Sequence, residues 1–483
     1  MTTTTRKENL LKRHRRRKRI AFVILACLIV FVGLQAGIGW VLLLLVLAWI
    51  AREVWFSDYL LYAPDTDYVY HFDPQLEIVP VDFSDDGQLT LSVGATAPGE
   101  DDTLVFAVTV RSGLMGRLFD PSVLIEADGV DGDRQTFERG ANGVRYLNLT
   151  SFVKALRKHT GCLRLRGRHC RLEDVPRLWR VAHPDYRQKR LLVVAPHADD
   201  AELAAFGLYS QAKDAWVVTL TAGELNTKYY QRMGLGLVEA ARLKGRLRVW
   251  DSLAIPLWAG VPSERAIQLG YFDGQLSTMR ASPAASIASS VADLCDTRFF
   301  RMRNRIKLES DRDGVPSWNN LIADLREIIL LAKPEAIVLP HPLIDPHPDH
   351  AAASEAVQEA LKDLAWQPEV LLHYANHLHD TDRWPMGEAH NGVALPPLFE
   401  NVGTLVPWVL PLERSCQIDK AMALGMMHDL TLPLSFKERL RRALQQFFAR
   451  RRHSLYGTDD YFRRAVRRHE LFWVEKWRVF TLK

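Results

Sequence analysis

The sequence predicts an α/β fold in which a transmembrane segment and a small all-β sandwich precede a larger α/β domain. Residues 20–50 contain no charged side chain. From about residue 68 to residue 175, apolar and polar residues alternate between Asp-Gly turns, which is typical of short strands. From Gln188 onward, apolar runs alternate with helical patterns, and this alternation predicts a Rossmann-like, mostly parallel sheet.

Length and composition indicate a folded protein of several domains. A chain of 483 residues is too long for one typical core, while 48% hydrophobic and 25% charged residues are ordinary for a globular protein. The five cysteines show no metal-finger spacing and suggest a reducing compartment, with a Cys162–Cys170 bridge as the minor alternative. We expect four segments: a basic cytoplasmic N-terminus (1–19), a transmembrane helix or helical hairpin (20–51), a β-sandwich domain (66–180) and an α/β domain with a basic helical C-terminal region (186–483).

The apolar run at 20–50 is longer than the ~20 residues that one upright transmembrane helix requires. It is either one long, tilted helix or a hairpin that bends between Gly33 and Gly37. The basic block before Ile20 places the N-terminus in the cytoplasm, and Arg52 favours a cytoplasmic return. We therefore expect an inner-membrane anchor with the domains facing the cytoplasm, and membrane lipid rather than nucleic acid as the partner of the basic block.

The region before Gln188 is expected to be structural. Its predicted strands are 89–93, 103–110, 123–127, 144–149 and 162–165. No set of catalytic side chains stands out there, so the region reads as a structural or docking module, with carbohydrate binding as the alternative.

The α/β domain has predicted strands followed by predicted helices. The strands are 191–195, 216–221, 249–255, 336–339 and 370–374, and the helices are 200–213, 237–247, 321–331 and 350–364. Residues 259–317 show weak periodicity, and a segment of that length is expected to shape a functional site. A basic amphipathic helix is predicted at 437–452, either as a solvated domain helix or as a contact for anionic headgroups.

The first chemical motif follows the strand at 191–195 and reads Pro196-His197-Ala198-Asp199-Asp200. His197 and Asp200 are three residues apart across a strand-to-helix turn and can face one cation. Imidazole and carboxylate are ligands that Zn²⁺ accepts. Asp199 then points elsewhere, and a carboxylate beside a metal but not bound to it suits a general base.

The second motif follows the strand at 336–339 and reads His347-Pro348-Asp349-His350. Because adjacent parallel strands end at the same edge of a sheet, the two motifs can converge. His350 completes a two-His, one-carboxylate set, which leaves a position for water whose pKa Zn²⁺ lowers to ~7. His347 is placed as an acid or oxyanion donor, and Asp349 as a carboxylate that orients a histidine.

The paired motifs resemble those of the PIG-L/LmbE-like de-N-acetylase family, whose motifs are A-H-P-D-D-E and H-P-D-H. The resemblance extends over residues 188–473. Three further segments carry it: Leu220-Thr221-Ala222-Gly223-Glu224, Glu239-Ala240-Ala241, and the stretch from Lys420 to His428.

The resemblance implies a metal-dependent hydrolase that removes acetyl groups from N-acetylglucosamine-type sugars. It implies that His197, Asp200 and His350 bind one Zn²⁺ or another divalent ion. It also implies that Asp199 is the general base and that His347 stabilises the oxyanion. With the membrane segment, it predicts a lipid-linked, lipopolysaccharide or cell-envelope glycan as substrate. The alternatives are another metal-dependent amide or phosphoester hydrolase and a non-catalytic envelope scaffold.

Substrate recognition departs from the family pattern. The position of the family's substrate-binding arginine is Gly236 here, and we take Arg232 as its replacement. The aromatic residue expected two positions before the second motif is Asp345. His377, one of three histidines at and after the strand at 370–374, is a further candidate for the substrate pocket.

Overall fold

The structure is a computed structural model that describes residues 3–63, 68, 70–158, 161–398 and 402–477, with the side chains of 3–5 and 174–176 left out. It is a mixed α/β protein with two apolar N-terminal helices and three sheets in its described part.

The N-terminal helices are α1 (Thr3–Ala36) and α2 (Ile38–Trp55). They are separated by Gly37, whose φ of 86° lies in the region that favours glycine. Residues 6–36 and 38–55 are each long and apolar enough to cross a membrane, and only 0% and 17% of their most apolar stretches are buried in the protein. The apolar run is therefore two helices, as in the hairpin alternative, and the single uninterrupted helix is not observed.

Residues 77–181 form short antiparallel strands and two one-turn helices. In chain order these are β1 (Glu77–Val79), β2 (Val81–Phe83), β3 (Gln88–Leu91), β4 (Thr103–Ser112), α3 (Met115–Leu118), β5 (Ser122–Ala127), β6 (Val130–Thr136), β7 (Asn142–Asn148), α4 (Val153–Leu156), β8 (Cys162–Arg168) and β9 (Cys170–Val181). They make one sheet of order β1-β9-β4-β7 and one of order β2-β3-β8-β5-β6. The two sheets share a buried apolar cluster that contains Phe106 and Val123. Cys162 and Cys170 are both free, so the hairpin disulfide is not formed.

The remaining elements surround a seven-stranded sheet. They are β10 (Arg190–Ala195), α5 (Asp200–Ser210), β11 (Asp214–Thr221), α6 (Lys228–Gln231), α7 (Leu237–Trp258), β12 (Ala266–Tyr271), α8 (Leu276–Ala281), α9 (Arg298–Arg301), α10 (Trp318–Ala332), β13 (Ala336–Pro340), α11 (Pro348–Leu361), β14 (Val370–Tyr374), β15 (Pro407–Pro411), α12 (Arg414–Gly425), α13 (Phe436–Ala449), α14 (Asp460–Ala465) and β16 (His469–Lys476).

This sheet is mixed. Its order is β12-β11-β10-β13-β14-β16-β15. The five strands from β12 to β14 are parallel, whereas β16 runs antiparallel to both β14 and β15. Buried clusters cover both faces: Val193 of β10 contributes to one and its neighbour Leu192 to the other. Burial on both faces explains the uninterrupted apolar runs of the inner strands.

The predicted strand at 249–255 is wrong, because these residues belong to α7. Val249, Ser252 and Ile255 are buried and three residues apart, while Trp250 is exposed. That spacing is helical, but the β-branched residues Val249 and Ile255 led to the prediction of a strand. The third strand of this half of the sheet is instead β12, which lies inside the segment with weak periodicity.

Helix α13 confirms the predicted basic amphipathic helix and packs across the end of α2. Arg441 Nε lies 2.7 Å from Glu53 Oε2, and Gln445 Nε2 donates to the Glu53 carbonyl at 3.2 Å. Phe436 and Phe447 remain exposed on another side of the helix.

A group of ion pairs joins the segment after α2 to distant parts of the chain. Asp58 lies 2.8 Å from Arg451 Nη2 and 3.4 Å from Arg139 Nη2. Arg383, which is 7% exposed, bridges Asp120 at 2.8 Å and Asp58 at 3.5 Å. Burial disfavours the charged form of Asp120 and would raise its pKa. The neighbouring arginines have the larger, opposite effect, Arg383 above all, so the pKa of this carboxyl lies below its ordinary 3.8.

Replacing Arg383 by methionine is expected to lower the free energy of unfolding by about 2 kcal/mol, because it leaves the partly buried carboxylates of Asp58 and Asp120 with fewer partners. Since the folded-state pKa of Asp120 is depressed, the stability it provides is present above pH ~4 and is lost as the pH falls. The variant should therefore show a weaker loss of stability in acid than the wild type. Denaturant unfolding followed by tryptophan fluorescence at pH 7 and pH 3 measures both effects. Equal acid sensitivity of the two proteins would contradict this account.

Candidate functional site

The two predicted motifs meet at the carboxyl ends of adjacent parallel strands. The first spans the loop after β10 and ends at Asp200, the first residue of α5, whereas the second begins at His347, the N-cap of α11, and continues into the first turn of that helix. Because β10 and β13 pair in parallel register, both loops leave the sheet at the same edge. His350 Nε2 consequently lies 3.3 Å from His197 Nδ1, although the residues are 153 positions apart.

Three side-chain atoms form a compact triangle that fits a metal ion. His197 Nδ1 lies 3.0 Å from Asp200 Oδ2, and His350 Nε2 lies 3.1 Å from the same oxygen. The third side is the 3.3 Å between the two imidazoles. Ligands at ~2.0–2.1 Å from a tetrahedral ion are roughly 3.3 Å apart. The residues predicted as ligands are therefore close to the required separations.

Asp345 orients His350. Its Oδ2 lies 2.9 Å from His350 Nδ1 and accepts the backbone N–H groups of Asn376 and His377 at 2.9 and 3.1 Å. Burial opposes the charged imidazole, but the carboxylates of Asp200 and Asp345 outweigh it and raise the pKa of His350 to about 10. The two carboxylates thus favour positive charge at this imidazole, and the sequence position that lacks the family's aromatic residue carries the carboxylate that orients His350.

Asn376 orients Asp200. Its Nδ2 donates to Asp200 Oδ1 at 2.9 Å and to the Asp200 carbonyl at 3.1 Å, while the His197 N–H donates to Oδ2 at 2.9 Å. Sequence reasoning missed Asn376. The available signal was its position two residues beyond β14, the next parallel strand along the sheet.

The other nitrogen of His197 faces two more carboxylates. Its Nε2 is buried, makes no hydrogen bond within the described residues, and lies 3.4 Å from Asp273 Oδ1 and 3.5 Å from Asp349 Oδ2. Asp349 also accepts the N–H groups of Gly274 and Leu276 at 2.7 and 3.3 Å. Asp349 therefore contacts a histidine and anchors the loop after β12. Asp273, which sequence reasoning missed, joins it in a second donor group with His197.

Asp199 pairs with Arg248. Arg248 Nη2 lies 2.9 Å from Asp199 Oδ1, and its Nη1 lies 2.8 Å from Asp429 Oδ2. Arg248 is buried on α7 and was not singled out from the sequence, since its partners are 49 and 181 residues away. The ion pair fixes the carboxylate of Asp199, which directly precedes Asp200 of the triangle in the sequence.

The turn after β11 explains part of the family resemblance. Gly223 has φ of 66°, and a Cβ at this position would collide with the side chain of Arg248. Glu224 is buried, accepts from Ser289 Oγ at 2.7 Å and from the Asp273 N–H at 3.1 Å, and burial raises its pKa to about 7. The glycine leaves space for the arginine, and the glutamate holds the loop that carries Asp273.

Replacing Gly223 by alanine is expected to displace Arg248 and to reduce activity about tenfold or more, because the ion pair with Asp199 would be broken. Metal content should stay unchanged, since no residue of the triangle is touched. Acetate release and elemental analysis of the same preparation measure the two quantities. Gly236→Ala is the control, because Gly236 has φ of −64° and a Cβ there would meet only the Glu239 carboxylate, at 3.6 Å. Full activity of the Gly223 variant would contradict a positioning role for Arg248.

His347 lies against both ligand histidines, with ring centroids 4.9 Å from His197 and 4.8 Å from His350. Burial, and then the neighbouring histidines, lower its pKa. Its Nδ1 accepts the Asp349 N–H at 3.3 Å. A neutral imidazole that accepts at Nδ1 carries its proton on Nε2. His347 therefore presents an N–H donor.

The two residues predicted to bind substrate are placed differently. The His377 ring lies 5.1 Å from that of His350 and 5.6 Å from that of His347, and burial lowers its pKa to about 4. Arg232 is exposed after α6, and its side chain makes no hydrogen bond or ion pair with the site residues within the described part of the chain. The structure thus places His377 against the site histidines, whereas for Arg232 it shows an exposed side chain without a polar contact to the site residues in the described part of the chain.

The C-terminal segment of the predicted resemblance supports the helices that carry the site. Lys420 Nζ lies 2.8 Å from the buried Glu470, which accepts two N–H groups of α5. His428 Nδ1 lies 2.6 Å from Asp251 on α7.

Comparison with known proteins gives a family match. Residues 192–361 match the PIG-L family model, described as GlcNAc-PI de-N-acetylase. A search of curated protein sequences finds no match. Among solved structures, the conserved protein TT1542 from Thermus thermophilus is 18% identical, with 59% of this chain and 94% of that chain covered and a TM-score of 0.30. GalB, the 4-carboxy-2-hydroxymuconate hydratase from Pseudomonas putida, is 16% identical, with coverages of 53% and 83% and a TM-score of 0.28. Both motifs lie inside the matched residues, and the predicted resemblance to the PIG-L family is confirmed over 192–361.

Proposed function

We propose that this protein is a metal-dependent N-deacetylase that removes the acetyl group from an N-acetylglucosamine-type sugar. The observation that carries the proposal is the triangle of His197, Asp200 and His350, with Asp199 and His347 beside it. The matched family is typically hydrolytic and metal-dependent, and its description names an N-acetylated sugar lipid.

In the proposed amide hydrolysis, the residues of the site have separate roles. His197, Asp200 and His350 would hold a divalent ion, with Zn²⁺ preferred, and that ion would supply Lewis-acid chemistry toward the acetyl carbonyl and water. Asp199 accepts a proton as the water oxygen attacks the carbonyl carbon. The Nε2–H group of His347 donates a hydrogen bond to the oxyanion and keeps its proton. The C–N bond then breaks, the amine nitrogen takes the proton from Asp199, and acetate and a free amine leave.

The apolar N-terminal helices suggest that the substrate is attached to a lipid. Two exposed apolar helices adjoin the folded body, so a lipid-linked or lipopolysaccharide-type envelope glycan is the expected substrate class. The anchor is proposed to lie in the inner membrane with the catalytic domain on the cytoplasmic side. We further propose that the parallel strands form a Rossmann-like core in a domain spanning 186–483, and that 66–180 is a separate β-sandwich domain. Arg232, His377 and Asp349 keep their predicted roles as proposals.

The direct test is acetate release by the full-length, detergent-solubilised protein. N-acetylglucosaminyl-phosphatidylinositol and an N-acetylglucosaminyl diphosphate lipid are suitable probes. Treatment with a chelator should abolish release, and one equivalent of Zn²⁺ should restore it. A protein that binds Zn²⁺ but releases no acetate from either probe would count against the deacetylase.

One observation favours a second candidate, a two-metal phosphoester hydrolase. Two donor groups with no shared residue adjoin each other: His197, Asp273 and Asp349 form one, and Asp200, His350 and His377 form the other. Two ions in such a pair of groups would suit phosphate displacement. Elemental analysis separates the candidates, since the deacetylase requires one ion per chain and the phosphoesterase requires two.

A further inference from the structure

A large open cleft lies on the protein surface between the basic half of α1, the segment that follows α2, and the loops of the β region. Its volume is about 520 Å³, which is within the ~300–1,000 Å³ typical of ligand pockets. Leu10, Arg13, His14 and Arg17 line it from α1, at the i, i+3, i+4 and i+7 positions of one helix face.

The cleft carries a strong excess of positive charge. Arg13, Arg17, Arg117 and Arg139 line it, and no acidic residue is among its described lining. Arg139 is paired with Asp58 and Asp120. The side chains of Arg13, Arg17 and Arg117 make no hydrogen bond or ion pair within the described part of the chain. Arginines gathered around one space repel one another unless an anion lies between them, so the expected occupant is anionic.

The position of the cleft indicates that this anion belongs to a lipid. Arg17 is three residues before Ile20, where the apolar part of α1 begins, and Arg13 is seven residues before it. At ~1.5 Å per helical residue they lie about 4.5 and 10 Å from that boundary, which includes the depth of the headgroup layer. On the other wall, Trp55 at the end of α2 donates its indole N–H to the Leu118 carbonyl at 2.8 Å. That bond holds Arg117 near the membrane-proximal end of α2.

We infer that this cleft binds the phosphate group of a membrane lipid. The arginine forks of Arg13, Arg17 and Arg117 match phosphate oxygens. Leu10, Leu60 and Leu61 provide an apolar wall for the part of the lipid next to the phosphate. The inference stands independently of the deacetylase proposal, because none of its residues belongs to the metal-binding triangle.

The test counts lipids bound to the purified full-length protein in detergent by native mass spectrometry. Dioctanoyl phosphatidic acid is the probe, with dioctanoyl phosphatidylcholine and inorganic phosphate as comparison arms. The Arg13→Gln/Arg17→Gln variant and the Arg117→Gln variant should each bind phosphatidic acid about tenfold or more weakly than the wild type. The matched control is Arg15→Gln/Arg19→Gln, which removes the same charge from the same helix at positions outside the cleft.

The control is stringent because Arg19 is closer to the apolar segment than Arg17 is. Non-specific attraction between the helix and an anionic lipid would therefore weaken at least as much in the control as in the Arg13/Arg17 variant. Binding within twofold of the wild type in the control, together with losses in the other two variants, supports the site. If the control loses as much phosphatidic acid binding as the other variants, the lipid is attracted non-specifically to a basic helix, and the proposed site is wrong. Displacement of phosphatidic acid by equimolar inorganic phosphate assigns the cleft to free phosphate and overturns the lipid. If the Arg117 variant binds phosphatidic acid as tightly as the wild type, Arg117 does not contribute to binding, and the proposed site is wrong. The substituted arginines are exposed, so the variants should fold as the wild type does, and an unchanged midpoint of thermal unfolding serves as the check.

Discussion

Replacing His350 by alanine is expected to remove the bound metal ion and to lower the rate of acetate release by roughly a thousandfold or more. His350 contributes two of the three sides of the ligand triangle, at 3.1 and 3.3 Å, and its side chain is fully buried. Elemental analysis and acetate release on the same preparation measure both losses.

A matched control for this variant is His373→Ala. His373 is also buried and lies on β14, the strand next to β13, but its Nε2 pairs with Glu475 at 2.8 Å and it belongs to no donor group. The control should keep its metal and its activity. Asp345→Asn gives the intermediate case: the ion should remain but bind ~10–100-fold more weakly, because the imidazole loses its orienting carboxylate. If the His350 variant retained one ion with the wild-type affinity, the ligand assignment would be wrong.

Replacing Asp199 by asparagine is expected to lower kcat by about 10²–10⁴ while metal content and KM change little. The amide is nearly the same size but cannot accept a proton from water. If Asp199 is the base, the acidic limb of the pH profile of kcat/KM should disappear as well. Steady-state kinetics across pH, with metal analysis in parallel, test both expectations.

Asp429→Asn separates the base from its ion pair. Asp429 and Asp199 contact the two terminal nitrogens of the same arginine at 2.8 and 2.9 Å, so each substitution leaves Arg248 with one carboxylate fewer. A loss confined to the Asp199 variant supports a base. Equal losses in the two variants would instead show that only the placement of Arg248 matters, and Asp199 would then lose its proposed role.

The sequence by itself was sufficient to predict those features that depend on residues close together in the chain. The apolar runs at β10 and β13 each end in a cluster of histidine and aspartate, and the rule that neighbouring parallel strands end at one edge brought those clusters together. The apolar run at 20–50 could be assigned as helical, but its break at Gly37 was one of two alternatives, because glycine permits a left-handed conformation without requiring it. The same local reasoning failed at 249–255, where a β-branched stretch belongs to the amphipathic helix α7.

Only the tertiary structure decided which residues support the site. Asp345 was read as the loss of an aromatic residue, and it is the carboxylate that orients His350. Arg248 and Asn376 reach Asp199 and Asp200 from elements 49 and 176 residues away in the chain. Such contacts depend on the packing of α7 against the sheet and on the position of β14 within it, and the side chains of Arg248 and Asn376 carry no local pattern that sets them apart from other buried polar residues. Ligands arranged by one turn are visible in a sequence because the turn fixes their spacing, whereas their orienting partners are fixed by the fold as a whole.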